Sequence, residues 1–310
     1  MQNSKITVSL KWALLSYFVF TFYYFGTIIM TYFVNYPQLA QVQENIVPVM
    51  NVFKDNMKIF FNLPSLFLVF SSLFLLYLRP NIFPILALWT SFVLCIVSVG
   101  TTLFVIAPIH ETLPDTGMSD VVKQQLWPTF MKFLIVPMVL QVSIAIWFLN
   151  IYLQGNTLGS RIIFTIVFCV ALFTWGTGYI EGFVAYPTWL MVGATDWLAY
   201  RQAVSGPVFF GVFLIPGYLP LFMLIPMFWK RPNGIPRYLV TIMLCAILWI
   251  FVITAIYFVP DLQMELDKGY SKELIGDLIK YDFPLRGIAG LVFMCTVSWM
   301  FLKVKSPAVS

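Results

Sequence analysis

The sequence predicts an all-α polytopic membrane protein, with eight transmembrane helices arranged as two repeated four-helix bundles. Three observations carry this. Of 310 residues, 60% are hydrophobic and only 10% charged, against about 25% charge in a soluble globular chain. Apolar runs recur at close to the roughly 20 residues a bilayer-spanning helix needs. The chain also repeats its own turn-forming residues at an offset of about 150. Soluble domains, nucleic-acid binders and secreted disulfide scaffolds do not fit this composition.

Hydropathy places spans at roughly 12–34, 59–78, 82–107, 131–153, 161–186, 208–229, 238–259 and 285–302. The first is read as a retained span and not a cleavable leader, because no small-x-small site follows it. Cys95, Cys169, Cys245 and Cys295 each lie in an apolar run, without a Cys-x-x-Cys pair, and read as small hydrophobes. Lys5, Lys11, Arg79, Arg161, Lys230, Arg231, Arg237, Lys303 and Lys305 fall on one side, with no carboxylate among them. The opposite side carries Lys and Arg mixed with acidic residues. Short, purely basic links favour a cytoplasmic location for both termini. The expected host is a bacterial inner membrane.

The links on the other, outer side are long: 35–58, 108–130, 187–207 and 260–284. Val121–Trp127 and Lys272–Lys280 read as short helices within them, capping the outer face as a lid or lying at the interface. The odd spans end before Pro37, Pro108, Pro187 and Pro260, read as helix stops because proline lacks an N–H. Pro64, Pro137, Pro216, Pro220 and Pro226 lie inside spans and are expected to kink them.

The repeat is specific. Gly26-Thr27 followed by Phe33-Val34-Asn35-Tyr36-Pro37 returns as Gly176-Thr177 followed by Phe183-Val184-Ala185-Tyr186-Pro187. Pro64 returns as Pro216, and Arg79-Pro80-Asn81 as Arg231-Pro232-Asn233. Residues 1–153 and 154–310 are therefore read as two four-helix repeats of equal orientation. Their axis would lie along the membrane normal, with a polar site between them near the outer face.

Glu181 is the most informative polar residue, about 9 Å below the outer end of its helix at 1.5 Å per residue. A carboxylate at that depth is either a proton, cation or substrate contact, or half of a buried pair joining two helices. Gly178-x-x-x-Gly182 on the same helix would admit a close neighbour. His110, the single histidine, stands beside Glu111 at the outer end of span 3 and is either a proton-transfer group or a polar boundary residue. Arg201 could reach Glu181 or an anionic head group, or anchor the interface. Glu181, His110 and Arg201 are thus the candidate catalytic residues. Glu181, Asp196, Tyr200, Tyr179, Asn62, Lys58, Lys132 and Arg286 are the candidate substrate- or ion-binding set. Lys58, Lys132 and Arg286 open spans 2, 4 and 8, where long basic side chains either snorkel or converge on a vestibule. No metal-ligand spacing, nucleotide fingerprint or hydrolase motif is present, so no cofactor is expected.

Gly26 to Pro37 and Gly176 to Pro187, set in four-span units, resemble the small four-span bacterial membrane proteins grouped with anthrone oxygenases. That resemblance implies a four-span unit, for which a tandem arrangement is unusual, and, from some members of the group, cofactor-independent oxygenation of polycyclic phenols. It implies no role for any particular residue here.

Three functions remain in view: passage or binding of a small molecule or ion; an embedded enzyme acting on an apolar, quinone- or phenol-like substrate; and a structural or assembly subunit. The expected partners are lipid, an apolar small molecule or a proton or ion, and a membrane-protein partner or second copy, with no nucleic acid.

Overall fold

The computed structural model describes residues 2–116 and 120–305, apart from the side chains of residues 2–7, 114–116 and 120–122. Lys5's side chain and Gly117, Met118 and Ser119, which belong to the second outer link, lie outside the described residues. Every regular element described is helical. Eight helices are long and apolar enough to cross a membrane: Val8–Leu39, Ile46–Leu78, Ile85–Leu113, Lys123–Tyr152, Leu158–Val192, Gly206–Met227, Arg237–Leu266 and Lys272–Lys303. They are spans 1 to 8 below, and the end carrying the longer links is called outer.

Spans 1 to 4 form one ring of helices, in which span 1 packs on spans 2 and 4 and span 3 closes the circuit. Spans 5 to 8 form a second ring of the same kind. Spans 1 and 5 lie side by side and join the two rings. A Cβ on Gly26 would run into the Phe173 carbonyl, and one on Gly176 into the Tyr23 carbonyl. The two helices therefore touch backbone to backbone, which only small residues permit. Away from this seam large apolar side chains face outward, as on span 2, where Phe70 is 63% exposed. That is the surface expected against lipid tails.

The outer ends depart from the sequence reading. Pro37, Pro108, Pro187 and Pro260 do not stop their helices, which run on to Leu39, at least Leu113, Val192 and Leu266. Spans 2, 4 and 8 likewise begin well before residues 59, 131 and 285. The two short helices predicted in the links form, as Asp120–Phe130 and Lys272–Asp282, but each is continuous with the span after it.

The reason is a widened turn. Each span contains one π-helical segment, at Thr31–Asn35, Lys58–Asn62, Thr102–Ile106, Met131–Ile135, Glu181–Ala185, Phe210–Leu214, Thr254–Gln263 and Phe283–Gly287. In the first six a proline follows two residues later, and in the last two Pro260 and Pro284 lie within the segment. A proline ring in a regular helix collides with the carbonyl four residues back and leaves it without a donor. A wide turn relieves the collision and lets the helix continue. The orphaned carbonyl ahead of Pro64 finds a partner in the neighbouring helix, where the Tyr23 hydroxyl donates to Phe60 O at 2.8 Å. This is how a membrane helix tolerates proline.

Candidate functional site

The wide turns set tyrosines into the two bundles. Tyr36 and Tyr186 each follow directly on a π segment, precede a proline and are fully buried. Their surroundings differ.

In the first bundle Tyr36 Oη and His110 Nε2 are 2.8 Å apart. Phe53 and Phe130 pack edge-on against this pair. Tyr36 and His110 line a pocket of about 40 Å³ together with Lys54, Lys58, Asn62, Thr102 and Glu111 and the apolar Met57, Phe61, Ile106, Ala107 and Phe130. That volume holds about three waters or the oxygenated end of a larger molecule. Lys54 Nζ meets Glu111 Oε2 at 3.0 Å, with the lysine side chain 12% exposed and the carboxylate 64%. Lys58 pairs with Asp55 at 2.9 Å on the surface. The pocket thus has a hydrogen-bonding floor, aromatic and aliphatic walls and a charged rim. Next to Tyr36, Asn35 is 2% exposed and neither polar atom of its side chain has a partner.

In the second bundle the chemistry is ionic and closed on itself. Arg286 Nε donates to Asp282 Oδ1 at 2.6 Å, and Arg286 Nη2 donates to Tyr186 Oη at 2.8 Å. The guanidinium lies 4.1 Å above the Phe258 ring. The Tyr186 hydroxyl in turn lies against the Glu181 carboxylate. The Asp282 carboxylate occupies the space a Cβ on Gly182 would need, 2.7 Å from that position. Gly182 therefore makes room for a side chain and not for a helix. A Cβ on Gly178 would meet nothing within 4 Å, so the close approach predicted at Gly178-x-x-x-Gly182 occurs instead at Gly176.

The remaining candidates lie elsewhere. Arg201 is held by Asp267, with Nε to Oδ1 at 2.9 Å, and stacks over Trp189 and Trp197. Asp196 Oδ2 accepts the backbone N–H groups of Gln43 and Glu44 at 2.7 and 3.0 Å, tying the third outer link to the first. Tyr200 stacks on Trp197, and burial pushes its hydroxyl pKa above the usual range. Tyr179 belongs to an aromatic seam between the bundles with Tyr23, Trp175, Phe60 and Phe183. Lys132 is exposed. The predicted set is therefore divided. His110, Lys58 and Asn62 come together in the first bundle, Glu181 and Arg286 in the second, and the seam between bundles is filled by glycine contacts and aromatic rings. Among the described residues no group of three His, Cys, Asp or Glu side chains could hold a metal ion.

Asp196 yields a prediction independent of any ligand. Two charge-assisted bonds of this kind are worth about 2 kcal/mol to the segment they hold. Asp196→Ala is expected to open the link at residues 40–45 to protease while leaving the spans intact, read by mapping the cleavage site in membranes.

Sequence reasoning missed Tyr36, Tyr186, Lys54, Asp282 and Phe258 as site residues. The one available signal was that Tyr36 and Tyr186 stand 150 residues apart, each directly before a proline. Comparison with known proteins finds no family model, no curated protein and no solved structure that matches the chain.

Proposed function

We propose that this integral membrane protein binds a small oxygenated molecule, phenol- or quinone-like, in the outer pocket of its first bundle. The observation that carries the reading is the buried Tyr36–His110 hydrogen bond at 2.8 Å forming the floor of a pocket with apolar walls. A ring would lie among Met57, Phe61, Ile106 and Phe130, and its oxygen would meet the tyrosine and histidine. Pockets of this composition, mostly apolar with a few convergent polar groups, are the usual form of a small-molecule site. The seam between the bundles supports binding over passage, since glycine contacts and aromatic rings fill it.

The same hydrogen bond favours an enzymatic second reading. Tyr36 and His110 are placed to move one proton to or from a ring oxygen, and the four-span resemblance points to phenolic substrates. Phenol and benzoate share a ring and differ in charge, so they separate neutral from anionic recognition. Phenol is expected to raise the melting temperature of the protein in lipid nanodiscs, and Tyr36→Phe to abolish that rise without lowering the unliganded melting temperature by more than a few degrees. Equal shifts for wild type and Tyr36→Phe with both probes would rule the pocket out.

A further inference from the structure

Below the pocket, the interior of the first bundle is polar. On span 3, Ser91, Cys95, Ser98 and Thr102 recur at helical spacing along one face, and each is at most 3% exposed. Span 1 faces them with Tyr17 and Tyr24, span 2 with Ser65 and Ser72, and span 4 with Gln141, all buried. The groups connect. Thr102, which lines the outer pocket, donates to Ser98 O at 3.0 Å and therefore accepts from Tyr24 Oη at 2.8 Å. Between these ends Ser65 Oγ donates to Asn62 O at 2.6 Å and Ser72 Oγ to Val69 O at 3.3 Å, which leaves the lone pairs of both hydroxyls for water. At the inner limit Tyr17 Oη and Ser91 Oγ are 3.0 Å apart, and Gln141 Nε2 donates to both at 2.9 Å. From Thr102 to Ser91 is eleven residues, about 16 Å along the helix, roughly half the thickness of the hydrocarbon layer.

Two features make this more than helix-joining polar contacts. Ser98 Oγ and Gln141 Oε1, both on fully buried residues, have no protein partner. Buried polar atoms are nearly always satisfied, and ordered water is the partner when protein is not. The second feature is the contrast with the other bundle. At the offset of 150–152 that aligns the prolines, Tyr17, Ser91 and Cys95 correspond to Val167, Met243 and Ile247, which pack in one apolar cluster with Phe293. The hydroxyl column is a property of the first bundle and not of the architecture.

The column stops abruptly. Leu88 lies one turn inward of Ser91, and Phe83 and Phe148 stack beyond it with ring centroids 4.3 Å apart. These, with Ala145 and Leu149, form an apolar plug at the inner end.

We propose that the first bundle is a proton half-channel: a hydrogen-bonded file of hydroxyls and water leads from the outer pocket to Tyr17, Ser91 and Gln141 and is closed inward by Phe83 and Phe148. A proton arriving on one oxygen of such a file is passed on as that oxygen releases another to its neighbour, and the hydroxyls and waters then turn back to their first orientation before the next proton passes. The outer pocket is the mouth of the column, but the proposal does not require that it hold a small molecule.

The test uses the full chain in liposomes enclosing a pH-sensitive dye, with proton entry driven by a potassium diffusion potential. Wild type is expected to be tight. Phe148→Ala opens the plug and is expected to admit protons at least tenfold faster. Phe148→Ala with Gln141→Leu is expected to return to the wild-type rate, because the file is cut above the opened plug. An unchanged rate in folded Phe148→Ala, or a double variant as leaky as the single one, overturns the proposal. A second measurement needs no variant. Hydroxyl radicals generated by radiolysis oxidise side chains in contact with water, and Tyr17, Tyr24 and Cys95 are expected to be labelled while the intrinsically reactive Met243 is spared. Tyr17 and Cys95 left unlabelled would show a dry network with a purely structural role.

Discussion

Gly176→Ala is expected to destabilise the protein by about 2 kcal/mol, and Gly178→Ala, two residues away on the same helix, to leave it unchanged or slightly more stable. The new methyl at 176 would have to occupy the position of the Tyr23 carbonyl, and the contact is backbone to backbone, so no side chain can swing aside. Spans 1 and 5 would have to separate, which places the change among overpacking substitutions at about 1–3 kcal/mol. At 178 the added Cβ meets nothing within 4 Å, and alanine is the better helix former by about 1 kcal/mol. Gly26→Ala should behave like Gly176→Ala, since its Cβ would meet the Phe173 carbonyl. Reversible unfolding in mixed micelles, followed by circular dichroism, reads all three. A Gly178→Ala loss as large as that of Gly176→Ala would mean that the seam lies elsewhere on the helix.

Arg286→Met carries the largest expected effect, a loss of about 3–5 kcal/mol, the range for removing one partner of a buried ion pair. The guanidinium is bonded to both Asp282 and Tyr186, and the side chains of Arg286 and Asp282 are only 18% and 15% exposed. Its loss leaves the Asp282 carboxylate in an apolar bundle without its ion-pair partner and removes one of the positive charges near Glu181. Most of that penalty belongs to the stranded charges and not to the missing bonds. Arg286→Met combined with Asp282→Asn and Glu181→Gln is therefore expected to recover more than half of the lost stability. Arg286→Lys should fall between wild type and Arg286→Met, because an ammonium keeps the charge but not the planar fork that meets two partners at once. A triple variant no more stable than Arg286→Met would show that Arg286 acts through packing on Phe258 instead. The same comparison bears on Glu181, which reaches the arginine through the Tyr186 hydroxyl.

The class of fold was legible because composition alone excludes a soluble surface, and the eight apolar runs were legible because hydropathy does not depend on where a helix is bent. The outer boundaries were not. Pro37 and Pro187 read as stops under local rules, and only the wide turn preceding each lets the helix pass. That turn is a backbone adjustment whose mark in the sequence is the proline itself, the residue that local rules read as a stop. His110, Glu181 and Arg286 stood out because each is an ionisable group in or beside an apolar run. Their partners did not. Tyr36 and Tyr186 are two of fifteen tyrosines, and at a helix end tyrosine is normally an interfacial anchor. Tyr36 meets His110 across 74 residues and Tyr186 meets Arg286 across 100, separations that spacing rules do not reach. The division of the polar residues between two bundles follows from the packing of spans 1 and 5, which is set by two glycines and leaves no room at the seam.

The most direct measurement is an electron cryomicroscopy map of the protein extracted from its membrane with native lipid and no added ligand. The expected map holds non-protein density in the outer pocket of the first bundle, within hydrogen-bonding distance of Tyr36 and His110, and none against Glu181. Density touching Glu181, with the outer pocket of the first bundle filled by its own side chains, would contradict that assignment and move the site to the second bundle.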